Sequence, residues 1–198
     1  MRAKFVPLVA GIALGATDSV VNHVAGLRGD SVLARSDRGG LTQAAEFLGM
    51  VLDAAWAWAA VAVLVGWVIA RRGARLPASA LAGAVVLLAA TAVYYGVDAL
   101  FDGGGFWHRA TKVWLVCAVI LGPLLGAVGA LTRRPGTVGM LAGMVVPVCA
   151  VLNMGLWPPQ HDSPMARPVV GAVWLGAALT TAVVFLRGRS KSADAGAP

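Results

Sequence analysis

Apolar runs close to 20 residues long recur along this chain, separated by short segments that carry nearly all of its Lys and Arg. A helix of about 20 apolar residues crosses a hydrocarbon layer of about 30 Å. Inside such a layer every backbone N–H and C=O must find its partner within the protein. Unbroken runs of this length therefore predict an all-α integral membrane protein, a bundle of about six transmembrane helices. The expected spans are Phe5–Leu27, one within Leu41–Ala70, Ala80–Phe101, Val113–Thr132, Gly136–Trp157 and Val169–Leu186. Together they make one domain, 1–186, followed by a disordered tail, 187–198, rich in Ser, Ala and charge. Composition agrees: 13% of residues are charged, against about 25% in soluble domains.

The first span has a competing reading. Arg2, Lys4 and the apolar run to Ala16 have the outline of a signal peptide. Apolar residues resume at Val20, Val21, Val24 and Leu27, which favours a retained span.

The net charge of +7 does not point to nucleic acid, because its sources cluster at span ends. With the N-terminus inside, ten of the sixteen Lys and Arg fall on the inner side, including Arg71, Arg72, Arg75, Arg133 and Arg134. Both termini are therefore expected in the cytoplasm of a multi-pass cell-membrane protein, with the lipid bilayer as its principal partner. Trp107, Trp114, Trp157 and Trp174 fall at the other span ends and read as an interfacial aromatic belt. Gly122, Gly126 and Gly129 read as a helix-packing face.

The polar residues within the spans are few and lie at one depth. Asp18, Asn22 and His23 stand near the end of the first span, Glu46 and Asp53 near the start of the second. Tyr94, Tyr95 and Asp98 close the third, and Asn153 the fifth. On the assumed topology all of them occupy the outer half. Asp18 and Asn22 are four apart, as are Tyr94 and Asp98, and Glu46, Gly49, Asp53 and Trp56 step by three, four and three along one face. Acids inside a membrane are costly and usually face a cavity or a partner. A shared pocket is expected, with Asp53, Asp18, Asp98 and Glu46 as candidate catalytic acids. Trp56, Tyr94, Tyr95, Asn22, His23 and Asn153 are the candidate substrate-binding residues.

A carboxyl group in an apolar pocket resists ionisation and can serve as a general acid. Aromatic faces, including that of Trp58, stabilise positive charge. The combination suits acid-initiated cyclisation of a hydrophobic, isoprenoid-like substrate. The bland alternative is that Asp18 pairs with His23, Arg109 or Lys112 to lock helices, and that Glu46 and Asp98 lie in the interface. Cys117 and Cys149 sit mid-span without CxxC spacing or a His pattern and read as core residues. No metal site and no cofactor are expected, since no Walker, HExxH, GxSxG or Rossmann pattern occurs.

Several segments resemble a family of small multi-span membrane proteins of unknown function, common in actinobacteria. They are Gly15-Ala16-Thr17-Asp18-Ser19-Val20-Val21-Asn22, Trp56 with Gly66, Tyr94-Tyr95-Gly96, and Trp114 with Gly122-Pro123-Leu124-Leu125-Gly126. The likeness covers the first two-thirds of the chain. Where the family pattern has Asn-Ser before the tryptophan, this chain has Leu52-Asp53-Ala54-Ala55, which implies an acid where relatives carry amides. Size, span number and isolated acids also resemble small bacterial membrane-bound terpene cyclases, with no motif in common. Two other functions compete with the enzyme. A non-enzymatic accessory, immunity or lipid-binding protein needs no catalytic motif. A proton-coupled carrier needs polar residues through the inner half, and these are missing.

Overall fold

The computed structural model of the chain describes residues 5–26, 40–159 and 163–194, with side-chain surroundings as far as 186. Among the described residues the protein is all helical. Its elements are α1 (Val6–Ala25), α2 (Gly40–Leu52), α3 (Ala55–Arg71), α4 (Leu76–Asp102), α5 (Arg109–Leu131), α6 (Thr137–Leu156) and α7 (Ala166–Asp194). Five of them, α1, α4, α5, α6 and α7 as far as Leu186, are long and apolar enough to cross a membrane. The helix ends follow local chemistry. Pro77 stands in the first turn of α4, where its missing N–H leaves no gap in the ladder. Gly26 and Gly103 end α1 and α4 at φ 64° and 65°, a left-handed conformation that glycine adopts without strain.

One expectation needs correction. The second span is not one helix: α2 and α3 meet at 64°, and count as a sixth crossing only if taken together. No Pro or Gly stands at the break, which is the extended Ala54 (φ −73°, ψ 132°). The cause is tertiary, since α2 packs on α1 and α7 whereas α3 packs on α5 and α4. One straight helix cannot serve both neighbourhoods. At the other end, α7 continues to Asp194. Residues 195–198 lie outside the described residues, as do Leu27, the loop residues Arg28, Arg35, Arg38, His161 and Asp162, and Arg2 and Lys4.

α4 is the central helix, packed on α5, α1 and α3. The approach is close because small residues meet. Gly126 of α5 lies against Ser79 and Gly83 of α4 and against Gly66 of α3, where a Cβ on any of these glycines would strike backbone. The glycine face expected on α5 is therefore a packing face. Ala62, Val65, Ala82, Val86, Leu87 and Ala118 form the apolar core of this part.

A second core joins α6 to α7 through Ala150, Met154, Val169, Val173 and Ala177, with Phe47, Met50 and Trp56 packed against it. The α6–α7 pair meets the rest more thinly, through α3, α5 and α2. α5 and α6 both continue through their internal prolines, Pro123 and Pro147. Arg133 donates to the Ala70 carbonyl, which places a cation at the C-terminal end of α3. The two cores are thus held apart over much of α5 and α6, and the space between them is the main cavity.

Candidate functional site

The main cavity measures about 1100 Å³, at the upper end of the roughly 300–1,000 Å³ usual for small-molecule sites. Its long walls are helix faces. α5 contributes Trp114, Leu121, Leu124, Leu125 and Val128, and α6 contributes Val145, Cys149, Leu152, Asn153 and Leu156. Those positions recur at helical spacing, so each set forms one stripe. From Trp114 to Val128 the groove runs about 21 Å at a rise of ~1.5 Å per residue.

The groove is polarised along that length. Asn22, Asp53, Trp56, Asn153 and Trp157 belong to the end where α1, α5 and α6 bring Asn22, Trp114 and Trp157 together. The other end, around Val128 and Val145, is apolar. A second cavity of about 300 Å³ adjoins the polar end and is walled by Trp58, Tyr94, Tyr95 and Trp114, with Thr91 and Leu87. Asp53, Ala55, Ala59, Trp114, Leu121 and Leu125 line both spaces.

Asp53 reaches this position because the helix breaks beneath it. It is exposed, its N–H closes the last turn of α2 onto the Gly49 carbonyl at 2.8 Å, and Ala54 then turns the chain away. Of the stripe expected on the second span, Gly49, Asp53 and Trp56 line the main cavity together. Glu46 does not line either space; it is fully buried in α2.

The remaining acids are elsewhere. Asp18 is fully buried, and both of its oxygens accept hydrogen bonds: Oδ2 from the Trp58 indole N–H at 3.1 Å, Oδ1 from the Asn22 amide at 3.3 Å. The same amide donates to the Tyr94 hydroxyl at 3.3 Å. This network ties α1, α3 and α4 together directly behind the aromatic cavity. Trp58 meets Tyr94 edge-on at 5.9 Å, and Tyr94 meets Tyr95 in the same way at 5.0 Å.

Asp98 belongs to a third place. His23 Nε2 lies 3.8 Å from Asp98 Oδ1 and 3.2 Å from Asp102 Oδ1, with its ring against Phe101 at 4.5 Å. His23 Nδ1 lies 2.7 Å from the Ser19 carbonyl, which can only accept, so Nδ1 carries a hydrogen. Nε2 therefore faces the two carboxylates either as the second N–H of an imidazolium or as a lone pair. Metal ligation was not expected, yet these three residues place ligand atoms within 4.8 Å of one another.

The candidate residues thus occupy four places, with Glu46 apart from all of them, buried in α2. Asp53, Trp56, Asn22 and Asn153 share the main cavity, and Tyr94 and Tyr95 the aromatic one. Asp18 holds the wall between helices, and His23 with Asp98 stands at the α1–α4 end. Trp114 and Trp157, expected only as an interfacial belt, line the cavity. Cys149 and Cys117, expected in the core, are half-buried and line the larger and smaller cavity respectively. The i, i+7 spacing of Trp114 and Leu121 was the signal that could have found the groove. Asp102 carried none, because its partner His23 is 79 residues away.

The sequence model of a family of unknown function (DUF6518) matches residues 39–197. The match begins after α1, so the Gly15–Asn22 segment lies outside it. No curated protein and no solved structure matches the chain.

Proposed function

Since the chain belongs to the DUF6518 family, whose function is unknown, we propose a role read from its cavities: a multi-pass membrane enzyme that starts cyclisation of an isoprenoid-like substrate with Asp53. The observation that carries this reading is the position of Asp53, on the shared wall of a long apolar groove and a chamber lined by four aromatic side chains. Membrane insertion is supported by the outward surface. Val9, Val119, Ile120, Leu141, Leu175 and Leu179 are exposed on α1, α5, α6 and α7, far more apolar surface than soluble proteins leave uncovered. The Lys and Arg distribution supports cytoplasmic termini, with the polar end of the groove toward the outside.

The chemistry balances as an isomerisation. The Asp53 carboxyl donates its proton to a double bond folded into the aromatic chamber. Electrons of a second double bond attack the resulting cation and form the ring bond. A neighbouring carbon then returns a proton to the carboxylate. Trp58, Tyr94, Tyr95 and Trp114 line the chamber, and aromatic rings turned toward the cation would stabilise it. Asp18 supports this as a positioning residue, by holding the Trp58 indole.

The test uses the full chain in nanodiscs with geranylgeraniol in deuterated water. The expected products are isomers carrying deuterium, with turnover reduced at least a hundredfold in Asp53→Asn. Equal product from both proteins would remove Asp53 from the mechanism. A binding-only reading has its own support: among the described residues that line the two cavities, Asp53 is the one carboxylate. It predicts saturable binding without product. A carrier gains little, because the groove is apolar at its Val128–Val145 end.

A further inference from the structure

Away from both cavities, the ends of α1 and α4 meet. The two helices pack on each other, with His23 in the last turn of α1 and Asp98 and Asp102 at the end of α4. A helix C-terminus carries a partial negative charge and favours cations. α4 has no basic residue in its last turn, and its two acids, four apart, lie on one face. Two carboxylates beside two helix C-termini concentrate one sign of charge at one point.

The imidazole between them is held in a definite orientation. Nδ1 donates to the Ser19 carbonyl at 2.7 Å and the ring lies against Phe101, so Nε2 is turned toward Asp98 and Asp102. Histidines that ligate metals are fixed in this way, with the second ring nitrogen donating to a carbonyl or carboxylate. A proton on Nε2 can serve Asp102 at 3.2 Å, but Asp98 Oδ1 at 3.8 Å is beyond its hydrogen-bonding reach. A metal ion engages all three residues at once. With bonds of about 2.0–2.2 Å, a tetrahedral ion sets its ligands roughly 3.4 Å apart, and 3.2 and 3.8 Å bracket that spacing. The third separation is within 4.8 Å. Asp98 Oδ1 is closed to solvent, as suits the inner ligand of a bare ion, whereas the Asp102 side chain is half exposed and leaves a way in.

We propose that His23, Asp98 and Asp102 form a site for a divalent first-row transition-metal ion that clips the end of α1 to the end of α4. One imidazole with two carboxylates is a donor set for Zn2+ or its neighbours, and a poor one for Mg2+ or Ca2+, which take oxygen ligands. The site lines neither cavity and does not depend on the proposed reaction. His23 also lies outside the family match at 39–197, while both acids lie within it. The chain has its own rival cations for this place: Arg28, Arg35 and Arg38 stand between α1 and α2 in sequence, and Arg109 and Lys112 open α5. The experiment therefore keeps the whole chain, so that they compete.

The full-length protein, purified in detergent on a tag free of histidine and stripped with EDTA, is titrated with Zn2+ by calorimetry and by thermal unfolding. One ion should bind per chain, raise the unfolding midpoint and resist a thousandfold excess of Mg2+. His23→Gln and Asp102→Asn should each weaken binding by about a hundredfold or more, since even changes to a ligand's supporting partners cost 10–100-fold. Both variants should still unfold cooperatively without metal, which separates loss of the site from loss of the fold. His108→Gln and His161→Gln, at the other two histidines, should bind like wild type. Absence of saturable Zn2+ binding by the folded wild-type chain would overturn the proposal and leave the place to a proton or a guanidinium. Unchanged binding in His23→Gln would overturn it equally, by putting the ion elsewhere.

Discussion

At the scale of single residues, chemically similar acids have been given different work by their surroundings. Asp18 accepts from an indole and an amide and is removed from solvent. Its replacement by Leu would leave two buried donors without acceptors, at about 1–3 kcal/mol each. Asp18→Asn keeps one acceptor and should lose about half as much. The unfolding midpoint in a denaturing detergent should rank wild type, Asp18→Asn and Asp18→Leu in that order, and an unchanged Asp18→Leu would show the network to be dispensable. Asp53 is instead exposed at the cavity wall, so Asp53→Asn should leave that midpoint within about 0.5 kcal/mol while turnover falls.

At the scale of elements, glycine decides how closely helices approach. A Cβ at Gly126 would meet the Ser79 carbonyl and the backbone of Gly83, neither of which can swing aside. Gly126→Val should therefore destabilise by about 3 kcal/mol or more, since overpacking a tight site costs about 1–3 kcal/mol even where side chains can yield. Gly96, on α4 and with nothing within 4 Å of a built Cβ, is the control. Gly96→Ala should be neutral or slightly stabilising, because alanine favours the helix. A tolerated Gly126→Val, measured by thermal unfolding in detergent, would mean that α4 and α5 are looser than the structure has them. The glycine spacing on α5 was legible in the sequence because a period of four marks one helix face. The break at Ala54 was not, because no turn residue announces it and two sets of neighbours impose it.

At the scale of the molecule, the proposed membrane topology turns on how many of the helices cross. Five helices qualify singly and the α2–α3 pair adds a sixth. Six crossings put both termini on one side, and five put them on opposite sides. Reporter tags at each end, probed in intact cells and in inverted vesicles, should both read cytoplasmic. Opposite readings would make α2–α3 a re-entrant segment that does not cross. The cavities give a second whole-molecule test. Cys149 and Cys117 line the larger and the smaller space, so saturating geranylgeraniol should slow maleimide labelling of Cys149 severalfold, and unaltered labelling would place the ligand elsewhere.

The sequence by itself determined what is periodic and what is costly. Apolar length dictated helices, charge placement set the expectation of which span ends share a side, and the expense of burying acids singled out Asp18, Asp53, Asp98, Glu46 and their neighbours as candidates for a partner or a cavity. Those inferences are local, since each depends on spacing along one helix. Only the tertiary structure decided which polar residues meet. Asn22, Asp53, Trp56 and Asn153 come from four elements or their junctions and share one space, whereas Asp98 finds His23 and Asp102. Depth along a helix is written in the sequence, but rotation about its axis relative to every neighbour is not. Packing settles that rotation, through glycine contacts such as Gly126 on Gly83 and through the two cores that hold α5 and α6 apart.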